Sequence, residues 1–147
     1  MPADLWSFAL ARYARPGVEQ VFLRLQDGGA NVCLVLCALW LERRQVPCEA
    51  QRLAQLRAIA EPWQRQVVQP LRELRQGWKA AALLDPQQAR LREQVKALEL
   101  EAERVLLGRL EQLAQKWQAT DEAVAWLETL LEDRDARELL RVAATQT

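Results

Sequence analysis

The stretch Asn31-Val32-Cys33-Leu34-Val35-Leu36-Cys37-Ala38-Leu39-Trp40-Leu41 is apolar at ten of its eleven positions and ends abruptly at Glu42-Arg43-Arg44. A helix built from it has no polar face, so the rest of the chain must cover it on nearly all sides. At about 1.5 Å per residue it reaches only about half of the roughly 30 Å hydrocarbon thickness of a bilayer, which makes it a core helix and not a membrane span. The other segments read as its surroundings.

Upstream, Asp4 is placed to cap a helix carrying Leu5, Phe8, Ala9 and Tyr13 at helical spacing. Arg15-Pro16-Gly17 ends it, and a second helix with Val18, Val21, Phe22 and Leu25 runs to Asp27-Gly28-Gly29. Asn31 caps the core helix, which extends to about Arg44. Leu53, Leu56, Ile59 and Ala60 predict a fourth helix stopping before Pro62, because the residue ahead of a proline disfavours helical geometry. From Pro62 to about Leu83, a wheel of 100° per residue gathers Trp63, Val67, Leu71, Leu74 and Trp78 into one apolar stripe. Pro70 inside this segment predicts a kink, since it cannot donate to the carbonyl of Gln66.

Asp85-Pro86 is a strong helix start, and no proline interrupts the chain from there to about Gln118. Along this long helix Leu91, Val95, Leu98, Ala102 and Val105 form a heptad seam that restarts one residue out of register as Leu106, Leu110, Leu113 and Trp117. Two offset seams predict that the helix changes partners part-way. Thr120 with Asp121 and Glu122 caps a following helix that carries Ala123, Val124, Trp126, Leu127, Leu130 and Leu131, and a short helix follows Asp133. Strand alternation is absent. The predicted fold is all-α, a single-domain helical bundle over 1–147 with about six to seven helices around the buried helix 31–44 and one long helix near 86–118.

The chain has no histidine, which removes Ser-His-Asp triads, His-based zinc sites and His general bases from consideration. Cys33 and Cys37 share a helical face, but with Cys48 they make only three thiols, too few for a closed zinc site; no metal or other cofactor is expected. An odd number of cysteines, two of them in the core stretch, points to reduced thiols and a cytoplasmic setting. No basic leader precedes an apolar run at the N-terminus, so no signal peptide is expected. Net charge is zero, which argues against nucleic acid as a specific partner. Glu132-Asp133-Arg134-Asp135 lacks the spacing of a magnesium-binding acidic motif and reads as a solvated capping cluster.

Charge is nevertheless uneven. Residues 1–80 carry 11 Lys/Arg against 7 Asp/Glu, and residues 81–147 carry 9 against 13. This asymmetry is compatible with pairing within the chain or with homo-oligomerisation. On the Pro62–Leu83 wheel, Arg65, Arg72, Arg75 and Lys79 cluster opposite the tryptophan stripe. Arginine suits bidentate contact with carboxylates, so this face is the leading candidate for docking an acidic protein surface. The alternative site is an anion-accepting pocket between the N-terminal helices, with Tyr13, Asp27, Asn31 and Arg72 as its polar groups. That reading requires the four groups to converge on one concave surface.

Leu5-Trp6-x-Phe8-Ala9, Tyr13, Pro16-Gly17-Val18, Leu25-Gln26-Asp27, Asn31-Val32-Cys33-Leu34 and Ala38-Leu39-Trp40-Leu41 follow one another in order. Pro62-Trp63, Val67-Val68 and Pro70-Leu71-Arg72-x-Leu74-Arg75 come after them. This series, over roughly 4–80, resembles a family of small uncharacterised proteobacterial proteins, a domain of unknown function. The resemblance implies a bacterial cytoplasmic protein and no particular activity. The sequence-based expectation is therefore a non-enzymatic adaptor or regulator that docks through its arginine-rich helix face; a small-molecule binder or enzyme is the alternative.

Overall fold

The computed structural model of the chain describes residues 4–120 and 125–145. Helix α1 (Leu5–Tyr13) starts on Asp4, whose carboxylate accepts a hydrogen bond from the Ser7 amide at 2.7 Å. Helix α2 (Val18–Asp27) begins after Gly17, whose φ of +82° is the left-handed conformation that favours glycine. Helix α3 (Val32–Arg43) is the apolar stretch, and every residue from Val32 to Leu41 is buried. The Asn31 side chain accepts from the Leu34 amide at 3.2 Å and donates to the carbonyl of Ala60 at 3.3 Å. One residue thus caps α3 and ties it to the next helix.

That next helix, α4 (Ala50–Trp63), does not stop before Pro62 as expected. It runs through the proline into a π-helical turn (Gln64–Val68) and on, without a break, into α5 (Gln69–Gly77). The missing donor of Pro70 explains the turn: widening the ladder just ahead of it accommodates a carbonyl that would otherwise lose its partner. A π turn holds one more residue than an α turn, so the inward face beyond it moves by one position. Val68, Arg72 and Arg75 point toward α7 where an unbroken wheel put Val67, Leu71 and Leu74; Val68 and Arg72 are buried, and Leu74 is exposed.

A break at Trp78 separates the short helix α6 (Lys79–Ala82) from α5. Asp85 then caps α7 (Pro86–Ala114) by accepting from the amides of Gln87 and Gln88 at 3.0 and 3.3 Å. Helix α7 ends at Ala114 rather than near Gln118. Beyond it the Trp117 amide donates to Ala114, and the Thr120 amide donates to the carbonyl of Gln45 at 2.8 Å. Helices α8 (Trp126–Leu130) and α9 (Arg134–Thr145) complete the described chain. The expected cap residues Asp121 and Glu122, with Ala123 and Val124, lie outside the described residues. All regular structure among the described residues is helical, with nine α segments, of which α4 and α5 are joined through the π turn.

Helix α3 touches α1, α2, α4, α7, α8 and α9, the all-round cover its composition demands. Two long-range ties fasten α8 and α9 to α3 and to the turn that follows it. The Trp126 indole donates to the carbonyl of Val46 at 2.7 Å, with its ring stacked 6.3 Å from that of Trp117. The Glu42 carboxylate accepts from the Leu127 amide at 3.0 Å and from Nε and Nη2 of Arg141, each at 2.9 Å.

Helix α7 does change partners. Its second half sends Leu106, Leu107, Leu110 and Ala114 into the main core, whereas its first half packs on α5 and α6. The inward line of that first half is Val95, Glu99 and Ala102. Leu91 and Leu98, expected in the seam, are about half exposed. The molecule thus has a body built on α3 and an arm formed by α5, α6 and the first half of α7.

Candidate functional site

The π turn divides the four residues of the expected basic face. Arg65 is exposed beside α3. Arg72 is buried and donates from Nη1 to Oε1 of Gln69 at 3.2 Å. Nε of Arg75 lies 3.0 and 2.9 Å from the two carboxylate oxygens of Glu99, itself buried, and Nε of Arg92 donates to the Arg75 carbonyl at 2.9 Å. Lys79 is exposed on α6. One member of the set, Arg75, therefore ties α5 to α7, Arg72 is buried and bonded within α5, and two face outward.

The four residues of the expected pocket do not meet in one concave site. Tyr13 lines a cleft of about 230 Å³ between α1, α3 and α7. Asn31 lines a different cleft, of about 420 Å³, together with Arg57 and Arg65. Asp27 is exposed at the end of α2, and Arg72 lines neither cleft. The structure instead pairs one residue from each expected set, Asn31 and Arg65, at the N-terminal end of α3. A third cleft, of about 710 Å³, lies between α4 and α7, where the Arg109 guanidinium sits 4.2 Å over the Trp63 ring and the Trp63 indole donates to the Ala102 carbonyl.

Sequence reasoning missed the role of two features. The first is the inward pair Glu99 and Glu103, four residues apart on one face of α7. Burial, with the charge of Glu99 beside it, pushes the Glu103 carboxyl up to about 7, against the downward pull of Arg72 and Arg75. Burial, and the charge of Glu103, likewise raises the Tyr13 hydroxyl to about 12. The Cys33 thiol, pushed up by burial, donates to the Glu103 carbonyl at 3.8 Å. Cys33, Cys37 and Cys48 are free thiols. Among the described residues no group of three or more Cys, Asp or Glu side chains is placed to hold a metal ion, and no helix is long and apolar enough to cross a membrane.

The second missed feature is apolar and exposed. Leu83 and Leu84, at the tip of the arm, are 84% and 90% exposed, and Leu91 and Leu98 on α7 are 51% and 56% exposed. Leu84, Leu91 and Leu98 recur every seven residues; on α7 this places Leu91 and Leu98 two turns apart along one edge, in line with the tip. The heptad spacing was visible in the sequence, but only the fold shows that no other part of the described chain covers it.

Residues 4–110 match the model of a protein family described as "Protein of unknown function (DUF2390)". The match extends past residue 80, through the tip of the arm and into the second half of α7. No curated protein and no solved structure matches the chain.

Proposed function

The chain belongs to the DUF2390 family of proteins of unknown function, and from that premise we propose that it is a non-enzymatic adaptor or regulator of the bacterial cytoplasm, with the arm as its docking element. The observation that carries this reading is the ridge Leu84, Leu91 and Leu98, together with Leu83, left uncovered on an arm whose other face is already packed. An exposed apolar edge of this size with a polar rim is characteristic of an interaction surface. Heptad spacing suits it to an amphipathic helix laid alongside α7.

Charge around the ridge indicates the chemistry of the partner. Lys79, Arg90 and Lys96 are exposed on the arm, against Glu73, Asp85 and Glu93. Lys96 lies 3.1 Å from Glu93, and Lys79 and Arg90 take no part in an ion pair among the described residues. The exposed charges balance in number, but Glu73 accepts from Gln69 and Asp85 caps α7, which leaves Lys79 and Arg90 uncommitted; the partner helix would therefore carry acidic flanks. Arg65 in the Asn31 cleft offers a further place for an acidic side chain, beside the positive end of the α3 dipole, whereas Arg57 there already lies 3.9 Å from Glu61. The enzyme alternative loses its main support because its polar groups are scattered.

The test is affinity capture from a nuclease-treated bacterial lysate with three baits of equal helicity: wild type, Leu91→Asp/Leu98→Asp and Lys79→Glu/Arg90→Glu. A stoichiometric partner with an acidic amphipathic helix, lost with the first variant and weakened with the second, is the expected result. Equal retention of the partner by all three baits would place docking elsewhere.

A further inference from the structure

The cleft between α1, α3 and α7 has properties that the adaptor reading does not use. Trp6 and Leu10 from α1, Leu36 from α3 and Leu100 from α7 form apolar walls around about 230 Å³ of open space, and Tyr13 and Glu103 supply its principal polar groups. Among the described residues, no hydrogen bond or ion pair reaches the Glu103 carboxylate. Of its charged neighbours, Arg75 donates its Nε to Glu99, and Arg72 donates Nη1 to Gln69 and reaches Glu103 through its charge without a hydrogen bond. The Cys33 thiol on α3 donates to the backbone carbonyl of Glu103 and leaves its side chain free. The Tyr13 hydroxyl is also without a hydrogen bond among the described residues, although its ring stacks on Phe22 at 5.3 Å.

A partly buried carboxylate accepts hydrogen bonds and cannot donate them, so what this cleft lacks is a donor that also carries positive charge. We propose that the cleft is a binding site for a small primary ammonium ion on an apolar body, with the ammonium group on Glu103 and Tyr13 and the apolar part against Trp6, Leu10, Leu36 and Leu100. The cavity is below the size usual for drug-like ligands, which limits the body to a single ring or a short alkyl chain. Anionic ligands are disfavoured because they would face the Glu103 carboxylate directly.

The groups facing Glu103 are Tyr13 on α1, Cys33 on α3, Arg72 and Arg75 on α5, and Glu99 on α7 itself. Of these, Glu103 is the group raised into the neutral range, to about 7. An ammonium ion binds its ionised form, so apparent affinity follows the ionised fraction and rises about tenfold between pH 6 and pH 8.

The experiment is an NMR titration of the full chain with 2-phenylethylamine, following the Trp6 indole, with 2-phenylethanol as the neutral isostere. Saturable shifts at Trp6 with the amine, tighter at pH 8 than at pH 6 by about tenfold, are expected. Glu103→Gln is expected to abolish both the pH dependence and the preference for the amine. Leu10→Trp, at the exposed mouth, narrows the cleft without touching the core and is expected to block binding in a folded protein. The proposal is overturned if the amine gives no saturable shift at millimolar concentration, if the alcohol binds as well, or if Glu103→Gln leaves amine affinity unchanged.

Discussion

The body and the arm draw on the same residue types with opposite results. In the body, most leucines turn inward: Leu39, Leu41, Leu56, Leu106, Leu110, Leu127 and Leu140 are all fully buried around α3, with Leu10 and Leu23 the half-exposed exceptions. In the arm, five leucines (Leu83, Leu84, Leu91, Leu98 and Leu100) lie half or more exposed, and Arg72 and Glu99 occupy interior positions that an apolar pair would fill in a core. The body is thus organised to be stable, and the arm trades apolar burial within the chain for an outward-facing apolar edge. Charged pairs between helices stabilise less than well-packed hydrophobes of the same volume but fix register. The contact between Arg75 and Glu99, in which Nε is shared by both carboxylate oxygens, keeps α5 aligned on α7 while the leucine ridge faces out.

The comparison is broken most severely at Trp126. Trp126→Ala removes a fully buried ring, its stack on Trp117 and its hydrogen bond to Val46, and should cost about 4 kcal/mol in urea unfolding. Glu42→Ala comes next: it leaves the Leu127 amide without its acceptor and Arg141 with Glu128 as its remaining partner, and should cost about 3 kcal/mol by the same measurement. Both belong to the body, and a small effect at either would contradict its role.

Glu103 marks the boundary between the two regions. Its folded-state value of about 7 lies above the ordinary 4.5, so between those values the folded chain holds a proton that the unfolded chain has released. This contribution to stability is fully present below about pH 4.5 and is lost as pH rises through about 7. Glu103→Gln should therefore stabilise the protein above pH 7 by about 3 kcal/mol and have little effect near pH 4.5, as measured by urea unfolding across pH. On the arm itself, Glu99→Gln weakens the bond from Arg75 and should cost about 1 kcal/mol, with faster amide exchange in α5 than in α3. Leu91→Ala and Leu98→Ala should change stability by less than about 0.5 kcal/mol, since each removes a side chain that is already half in water.

Much of the fold was legible where the signal is local. Asp4, Asn31 and Asp85 cap the helices they were assigned to, because a cap needs only a short polar side chain next to a helical pattern. The apolar stretch identified α3 because no other arrangement hides ten consecutive apolar residues. The π turn was not legible. Nothing in Gln64-Arg65-Gln66-Val67-Val68 encodes an extra residue in the turn, yet that residue carried Arg72 from an expected surface into the interior. The cleft of Tyr13, Cys33 and Glu103 was hidden for a different reason: its residues come from helices far apart in sequence and meet only through tertiary packing. The leucine ridge lay between these cases, visible as a heptad but silent about whether its cover comes from the same chain.

The measurement that tests the division most directly is site-specific photocrosslinking in bacterial cells. A photoreactive residue would be placed singly at Leu91 and Leu98 on the arm and at Leu23 on the body, which is 48% exposed. A discrete adduct with another protein from both arm positions and none from Leu23 is the expected result. An adduct at the mass of two copies of this chain would replace the acidic partner with self-association. Equal adducts from arm and body, or adducts from Leu23 alone, would contradict the assignment of docking to the arm.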